Sequence, residues 1–233
     1  MAIGLKLRNL LYVIHTVPPE RLQRHLPPGI ELDLRDTPEG PRAFIATVTL
    51  ESGAAFPYVL SGFRQVNYRV YVRHAAEPGV LFMRSWVSAR AAAAVLSLAI
   101  PTEHAEVQIT IENEGHPYSR YQVEAHSGAH RWAVEAHADS GIDLSMLGSH
   151  DDAMHFLMHR LNGFAASNHP KNGLAVIRVS HPVMNPVLAR VNSVVADQWT
   201  EAGILEAGEV SRPLVALIQP ETQFDMNLPE KIS

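Results

Sequence analysis

The chain has 233 residues, 46% of them hydrophobic and 18% charged, and a net charge of −5. That composition suits a globular protein with room for a large core, and its acidic balance argues against a nucleic-acid partner, which selects a basic face. Cysteine is absent, which excludes disulfides, thiolate metal sites and thiol nucleophiles together, and no run of about 20 apolar residues marks a membrane helix.

Residues 10–17 are apolar enough for a first strand, and Pro18-Pro19 opens a short helix over residues 20–26 that Pro27-Pro28-Gly29 ends. Residues 30–35 alternate strictly between apolar and polar, the pattern of a half-buried strand. Thr37-Pro38-Glu39-Gly40 is a turn, and residues 43–51 form the next strand. Residues 52–62 read as a loop carrying Phe56, Tyr58, Val59 and Leu60. Such a loop plugs one end of a barrel or, less commonly, covers a pocket as a lid.

Residues 67–112 are the unit around which the rest is arranged: strand, turn, strand, alanine-rich helix, strand. On the first strand Val66, Tyr68, Val70 and Val72 point one way, and Asn67, Arg69, Tyr71 and Arg73 the other. Glu77-Pro78-Gly79 is read as the turn, and residues 80–87 as the returning strand. Ser88 caps a helix through Leu98, whose Ala91 to Ala94 block lets it lie close to a sheet, and Pro101 breaks it. Strands at 105–112, 118–126 and 129–137 follow, with turns at Asn113-Glu114-Gly115 and Ser127-Gly128, making an antiparallel meander.

After a loop at 139–148, Ser149 with Asp152 three residues on caps a helix. Its buried stripe is Met154, Leu157, Met158 and Leu161, and Gly163 ends it. Strands at 174–181, 187–196 and 214–219 complete the count, with a helical turn at 199–205 and a peripheral tail after Gln223. About ten strands and three or four helices without a regular strand–helix–strand repeat indicate a mainly β (α+β) fold. The expectation is one domain over residues 1–233, a barrel or a pair of curved antiparallel sheets with helices packed outside.

The chemistry narrows by exclusion. Neither a Gly-rich phosphate loop nor a G-x-S-x-G elbow is present. Asp151, His155 and His159 fall at i, i+4, i+8 on the predicted helix, but no Glu follows the first His and these residues flank the buried stripe, so no metal is expected there. His126, His130 and His137 are spread over two strands and make a weaker case still. An imine mechanism needs a desolvated lysine; the chain has three, Lys6, Lys171 and Lys231, and none sits in a buried-strand pattern. Acid–base chemistry remains. His104 and Glu106 share one strand face, as do Arg69 and Tyr71, and if those faces meet they surround a cavity with a cation, a phenol, an imidazole and a carboxylate. Otherwise these are solvent-facing strand residues in cross-strand ion pairs.

Several phrases in order resemble one known family. Leu26-Pro27-Pro28-Gly29-Ile30-Glu31-Leu32, Asn67-Tyr68-Arg69-Val70-Tyr71-Val72, Pro78-Gly79-Val80-Leu81-Phe82 and Val179-Ser180-His181-Pro182 look like the DUF2071 family, which is related to acetoacetate decarboxylase. The resemblance runs over residues 10–220 and implies a curved, barrel-like antiparallel sheet enclosing a small-molecule cavity. Acetoacetate decarboxylases carry two adjacent lysines after the helix of the central unit. The matching phrase here is Ile100-Pro101-Thr102-Glu103-His104, with Thr102 in the place of the imine lysine and Glu103 in that of its neighbour. Neither forms a Schiff base, so acetoacetate decarboxylation by that route should be absent. If the lysine slot faces the cavity, Thr102, His104 and Glu106 share its side.

The expected activity is therefore a lysine-independent lyase, isomerase or cyclase acting on an oxygenated or carboxylate metabolite. His104 and Glu106 would transfer protons, and Arg69, Tyr71, Arg84 and Thr102 would bind substrate. The rivals are a non-catalytic ligand-binding protein of the same fold and a structural or assembly module. The partner expected is a small molecule, with no cofactor, no metal, no nucleic acid and no membrane; a homo-oligomer is left open. The first residues do not read as a signal peptide, and a cytoplasmic location is expected.

Overall fold

The alternating segments assemble into one continuous, strongly curved sheet in the computed structural model, which describes residues 2–55, 58–113, 117–166 and 173–232. Its longest strands are β1 (Ala2–Val17), β4 (Gly40–Ala55), β5 (Arg64–His74), β6 (Glu77–Val87) and β14 (Val215–Asn227). The short strands β2 (Glu31–Leu32) and β3 (Arg35–Thr37) lie on β5 and β4, and helix α1 (Glu20–Gln23) precedes them.

The hydrogen-bonded order β12-β11-β6-β5-β4-β1-β14 returns to its start, because β12 (Leu174–Ser180) also pairs with β14. With β11 (Asn162–Ala166) this makes a closed ring. From β14 the sheet also runs outward through β13 (Val187–Ala196), β10 (His130–Ala138), β9 (Arg120–Ser127) and β8 (Glu106–Glu112) as a wing. Strand β7 (Thr102–His104) adds in parallel to β6, and β15 (Glu230–Ile232) to β12.

The two faces of β5 do different work. Val66, Tyr68, Val70 and Val72 bury themselves against the wing, in a core shared with Tyr121, Val123 and Trp132. The Tyr68 ring lies edge-on to Trp86, Trp199 and Trp132, at centroid distances of 5.1, 5.5 and 6.4 Å. Two indole N–H groups in this core donate to strand threonines: Trp199 to Thr47 at 2.8 Å and Trp132 to Thr49 at 3.2 Å. Thr47 and Thr49, read from sequence only as sheet-forming residues, thus prevent unpaired donors from being buried.

The other face of β5 looks into the ring. Helix α3 (His150–Met158) closes one end, burying Met154, Phe156, Leu157 and Met158 against Tyr12, Phe44 and Tyr71. Its Ser149–Asp152 capping box is as expected. Helix α2 (Arg90–Leu96) closes the other end, with Ala92 and Ala93 packed on Leu60, Phe63 and Val87. Small alanines allow that close approach. Leu60, from a 3₁₀ turn over Tyr58–Leu60, packs against α2 and lines the interior of the ring; Phe56 lies outside the described residues.

Several local expectations fail for identifiable reasons. Ser88 does not cap α2: its hydroxyl accepts from the Arg64 amide, and Ala89 stands at the cap without a side-chain bond. The β5–β6 turn is Ala75-Ala76, both at positive φ, with His74 paired to Glu77. Gly79 is a contact glycine: a Cβ there would lie 2.4 Å from the Asn162 carbonyl oxygen and 2.6 Å from the Phe164 ring. Gly163 does not end α3 but sits in β11, where a Cβ would lie 2.7 Å from the Phe82 ring. The tail after Gln223 is not peripheral, since Phe224 and Met226 continue β14 against β1 and β12. The turn at Asn113-Glu114-Gly115 extends outside the described residues.

Candidate functional site

Inside the ring, between α2 and α3, lies a cavity of about 120 Å³. Residues Gln65, Asn67 and Arg69 of β5 line it in succession, as two-residue periodicity requires. Opposite them stand Leu5, Leu7 and Tyr12 of β1 and Leu50 of β4, with Val80 and Phe82 of β6 alongside. Ile177 and Val179 of β12 and Phe224 and Met226 of β14 complete the wall. Most lining side chains are apolar. A smaller void of about 20 Å³ adjoins the α3 end, and Tyr12, Arg69, Arg160 and Phe224 line both. It has room for about one water.

Three polar side chains on one wall are linked by hydrogen bonds. The Gln65 side-chain amide donates to Asn67 Oδ1 at 2.8 Å and to Ser85 Oγ at 2.7 Å, and all three residues are buried. The two arginines differ in their neighbours. Arg160 is 6% exposed, donates to the carboxylate of buried Asp33 at 2.5 Å, and lies over the rings of Phe156 and Tyr71. Arg69 pairs with no described carboxylate; its guanidinium lies 5.1 Å from the centre of the Phe82 ring and 6.0 Å from that of Tyr12, and its buried Nε has no partner. Burial pushes the Tyr12 phenol up, and the adjacent Arg69 pulls it partly back. Tyr71 faces the smaller void, but its hydroxyl donates to the Leu157 carbonyl at 2.8 Å and burial pushes it well up, so it acts as a fixed support.

His181 lines the smaller void beside Arg69. Its Nδ1 lies 2.9 Å from the Pro182 carbonyl oxygen, which only accepts, so Nδ1 carries the hydrogen. Nε2 then presents a lone pair, and it is buried without a partner. Burial lowers the His181 pKa and favours that neutral form.

The remaining residues expected from sequence lie elsewhere. A bulge explains Arg84. Tyr68 pairs with Arg84 and Arg69 with Phe82, so Met83 is the extra residue on β6. It reverses the parity: Phe82 faces the cavity, while Arg84 faces the wing and pairs with Glu103 at 3.1 Å. Glu103 also accepts from Trp86 Nε1 at 2.6 Å and Ser127 Oγ at 3.0 Å, tying β7 to β6 and to the end of β9. Glu103 is thus a structural acceptor. Thr102 donates to the Ile100 carbonyl at 3.1 Å. His104 is half-buried beside Val87, and Glu106 is exposed on β8 opposite His126. None of Arg84, Thr102, His104 and Glu106 lines either void.

No described lysine lines the cavity. Lys6 alternates away from Leu5 and Leu7 and pairs with Glu221 at 2.8 Å, Lys231 lies on β15, and Lys171 is outside the described residues. His155, His159 and His181 pack ring on ring, 5.0 and 5.1 Å apart, beside an outer groove. Among the described residues no group of three His, Asp or Glu side chains is arranged to hold a metal. No helix among them is long and apolar enough to cross a membrane.

Sequence reasoning missed Tyr12, Asp33, Arg160 and His181. Tyr12 sits in an apolar run and Arg160 just past an apolar helix, so neither broke a pattern. His181 stood within a quoted family phrase, but nothing local showed that it turns inward.

A curved ring of this connectivity, closed at both ends by helices around an internal cavity, has the acetoacetate decarboxylase-like fold. The chain belongs to the DUF2071 family, described as an uncharacterized conserved protein, whose model matches residues 5–222. Among solved structures it resembles acetoacetate decarboxylase from Legionella pneumophila, with a TM-score of 0.73 at 12% identity over 100% of this chain and 88% of that one. It also resembles the enduracididine biosynthesis enzyme MppR complexed with pyruvate, with a TM-score of 0.65 at 13% identity, covering 100% and 91% of the two chains. An acetoacetate decarboxylase-like enzyme from Sphingomonas wittichii RW1 gives 0.64 at 12% identity, covering 100% and 93%. No curated protein matches the sequence.

Proposed function

We propose that this protein binds a small oxygenated or carboxylate-bearing metabolite in the ring cavity and acts on it by acid–base chemistry without a Schiff base, as a lyase, isomerase or cyclase. The observation that carries the reading is Arg69: a guanidinium on the wall of an apolar cavity, with a buried unpartnered Nε and no described carboxylate to neutralise it. A cation left uncompensated in low dielectric favours an anionic ligand, and the planar guanidinium suits a carboxylate or an enolate. The proton-transfer role expected of His104 and Glu106 passes to His181, which lines the void that Arg69 also lines and whose buried Nε2 has no partner. His181 removes a proton next to the substrate carbonyl, and Arg69 holds the charge that develops on oxygen. The bound pyruvate in one structural relative supports this ligand class.

The test is deuterium exchange at C3 of 2-oxo acids, from pyruvate to 2-oxooctanoate, followed by NMR. The native protein accelerates exchange for at least one member, and His181→Ala lowers that rate by about 10²–10⁴. Borohydride leaves no substrate adduct on any lysine; an adduct would overturn the imine-free mechanism. If no 2-oxo acid exchanges, the enzyme reading is lost. The second reading, a ligand-binding protein without turnover, is favoured by one observation: among described residues no Asp, Glu or His lines the larger cavity.

A further inference from the structure

From the distribution of polarity along the cavity we infer the shape of the ligand: a carboxylate at Arg69 with an unbranched or aryl-bearing apolar tail of several carbons running toward α2. This rests on the reading of Arg69 as the anion anchor and adds the remainder of the molecule. Residues 65, 67, 69 and 71 of β5 mark the axis of the ring. Tyr71 touches α3 through its bond to Leu157, and Gln65 pairs with Val87, on which α2 packs. From Arg69 to Gln65 is four residues of extended strand, about 13 Å.

Charge is confined to one end of that path. Arg69 and Arg160 stand at the α3 end, where Asp33 neutralises Arg160 and leaves one net positive charge. Beyond Arg69, the Gln65 amide hydrogens are engaged by Asn67 and Ser85. Asn67, between them, accepts from Gln65 through its Oδ1, and the rest of the path toward α2 is Leu50, Leu60, Phe63, Leu96, Ile100 and Met226. A ligand as small and polar as pyruvate would occupy the Arg69 end and leave this apolar length unfilled. An apolar tail fills it, and each methylene removed from water strengthens binding about fourfold.

Calorimetric titration of the full chain with acetate, butanoate, hexanoate, octanoate and 3-phenylpropanoate, and with 1-octanol, tests the inference. One site is expected, with affinity rising about fourfold per methylene along the straight chains. Octanoate should bind at least tenfold more tightly than octanol. Arg69→Met removes the preference for acid over alcohol but keeps the dependence on tail length. Leu96→Gln, on the partly buried side of α2, flattens the dependence on length but keeps the preference for acid. A series flat in chain length, with acid still preferred and Arg69 still required, overturns the tail and leaves the anion anchor standing. Equal affinity for octanol and octanoate, or an Arg69→Met variant that binds acids as before, overturns the anchor and the tail assignment with it. Several weak sites per chain would also sink the inference, because they indicate surface adsorption.

Discussion

Arg69 and Arg160 both line the cavity, and they differ in what neutralises them. Arg160 has Asp33, also buried, while Arg69 has no described counter-ion. Removing one partner of such a pair strands the other charge, and Asp33→Asn should destabilise the protein by about 3–5 kcal/mol. The double variant Asp33→Leu/Arg160→Met removes both charges and should recover most of that loss, as measured by urea denaturation. An Asp33→Asn variant as stable as the native chain would show the pair to be dispensable. Arg69 was legible because its strand alternates without interruption. Asp33 was not. Residues 30–35 alternate on paper, yet Asp33 is buried and Leu34 is 41% exposed, the inverse of the pattern. The chain breaks between β2 and β3 there because Arg160, remote in sequence, draws Asp33 inward. Arg84 was misplaced for a related reason: the bulge at Met83 arises from pairing between strands and leaves no mark in composition.

Among the elements, β6 and β11 meet through two glycines. Gly79 faces the Asn162 carbonyl and Phe164, and Gly163 faces Phe82. The Asn162 oxygen belongs to the backbone and cannot swing aside. Gly79→Ala should therefore force the parallel pair apart and lower stability by about 1–3 kcal/mol, seen as a lower melting temperature. An unchanged melting temperature would mean that the two strands separate without cost. Local punctuation rules read Gly79 as a turn residue, since Glu-Pro-Gly is turn-like. The actual turn, Ala75-Ala76, has no such signature and adopts positive φ because the two strands on either side dictate it. The far half of β14 is legible in its alternation: Thr222, Phe224 and Met226 alternate with Glu221, Gln223 and Asp225, and Phe224 and Met226 face the cavity.

For the whole molecule, the titrating groups that matter most are three histidines, His15, His159 and His181. His15 is 2% exposed, with Nε2 at 2.9 Å from the Val210 carbonyl oxygen and Nδ1 unpartnered. Burial lowers its pKa, against smaller raising effects of that carbonyl and of Glu209, and burial likewise lowers those of His159 and His181. The folded protein keeps these rings neutral, whereas in the unfolded chain they take up protons near pH 6.5. The unfolded state therefore binds more protons below that pH, and stability, fully present above about 6.5, falls as the pH drops toward the depressed folded values. Melting temperature should decline between pH 7 and pH 5, and His15→Gln should make the decline shallower. A flat profile would contradict the neutral assignment.

Closure of the ring also leaves the sheet with few free rims among the described residues, and one of them is β8, which there pairs on one side only, with β9. Its seven residues begin and end with a carboxylate, Glu106 and Glu112, on a chain of net charge −5. Carboxylates on an open strand disfavour pairing rim to rim with a second copy, more weakly at Glu112, which Arg120 neutralises at 3.2 Å, than at Glu106. Glu106, which strand parity had turned toward catalysis, stands at the start of this rim and apart from both voids.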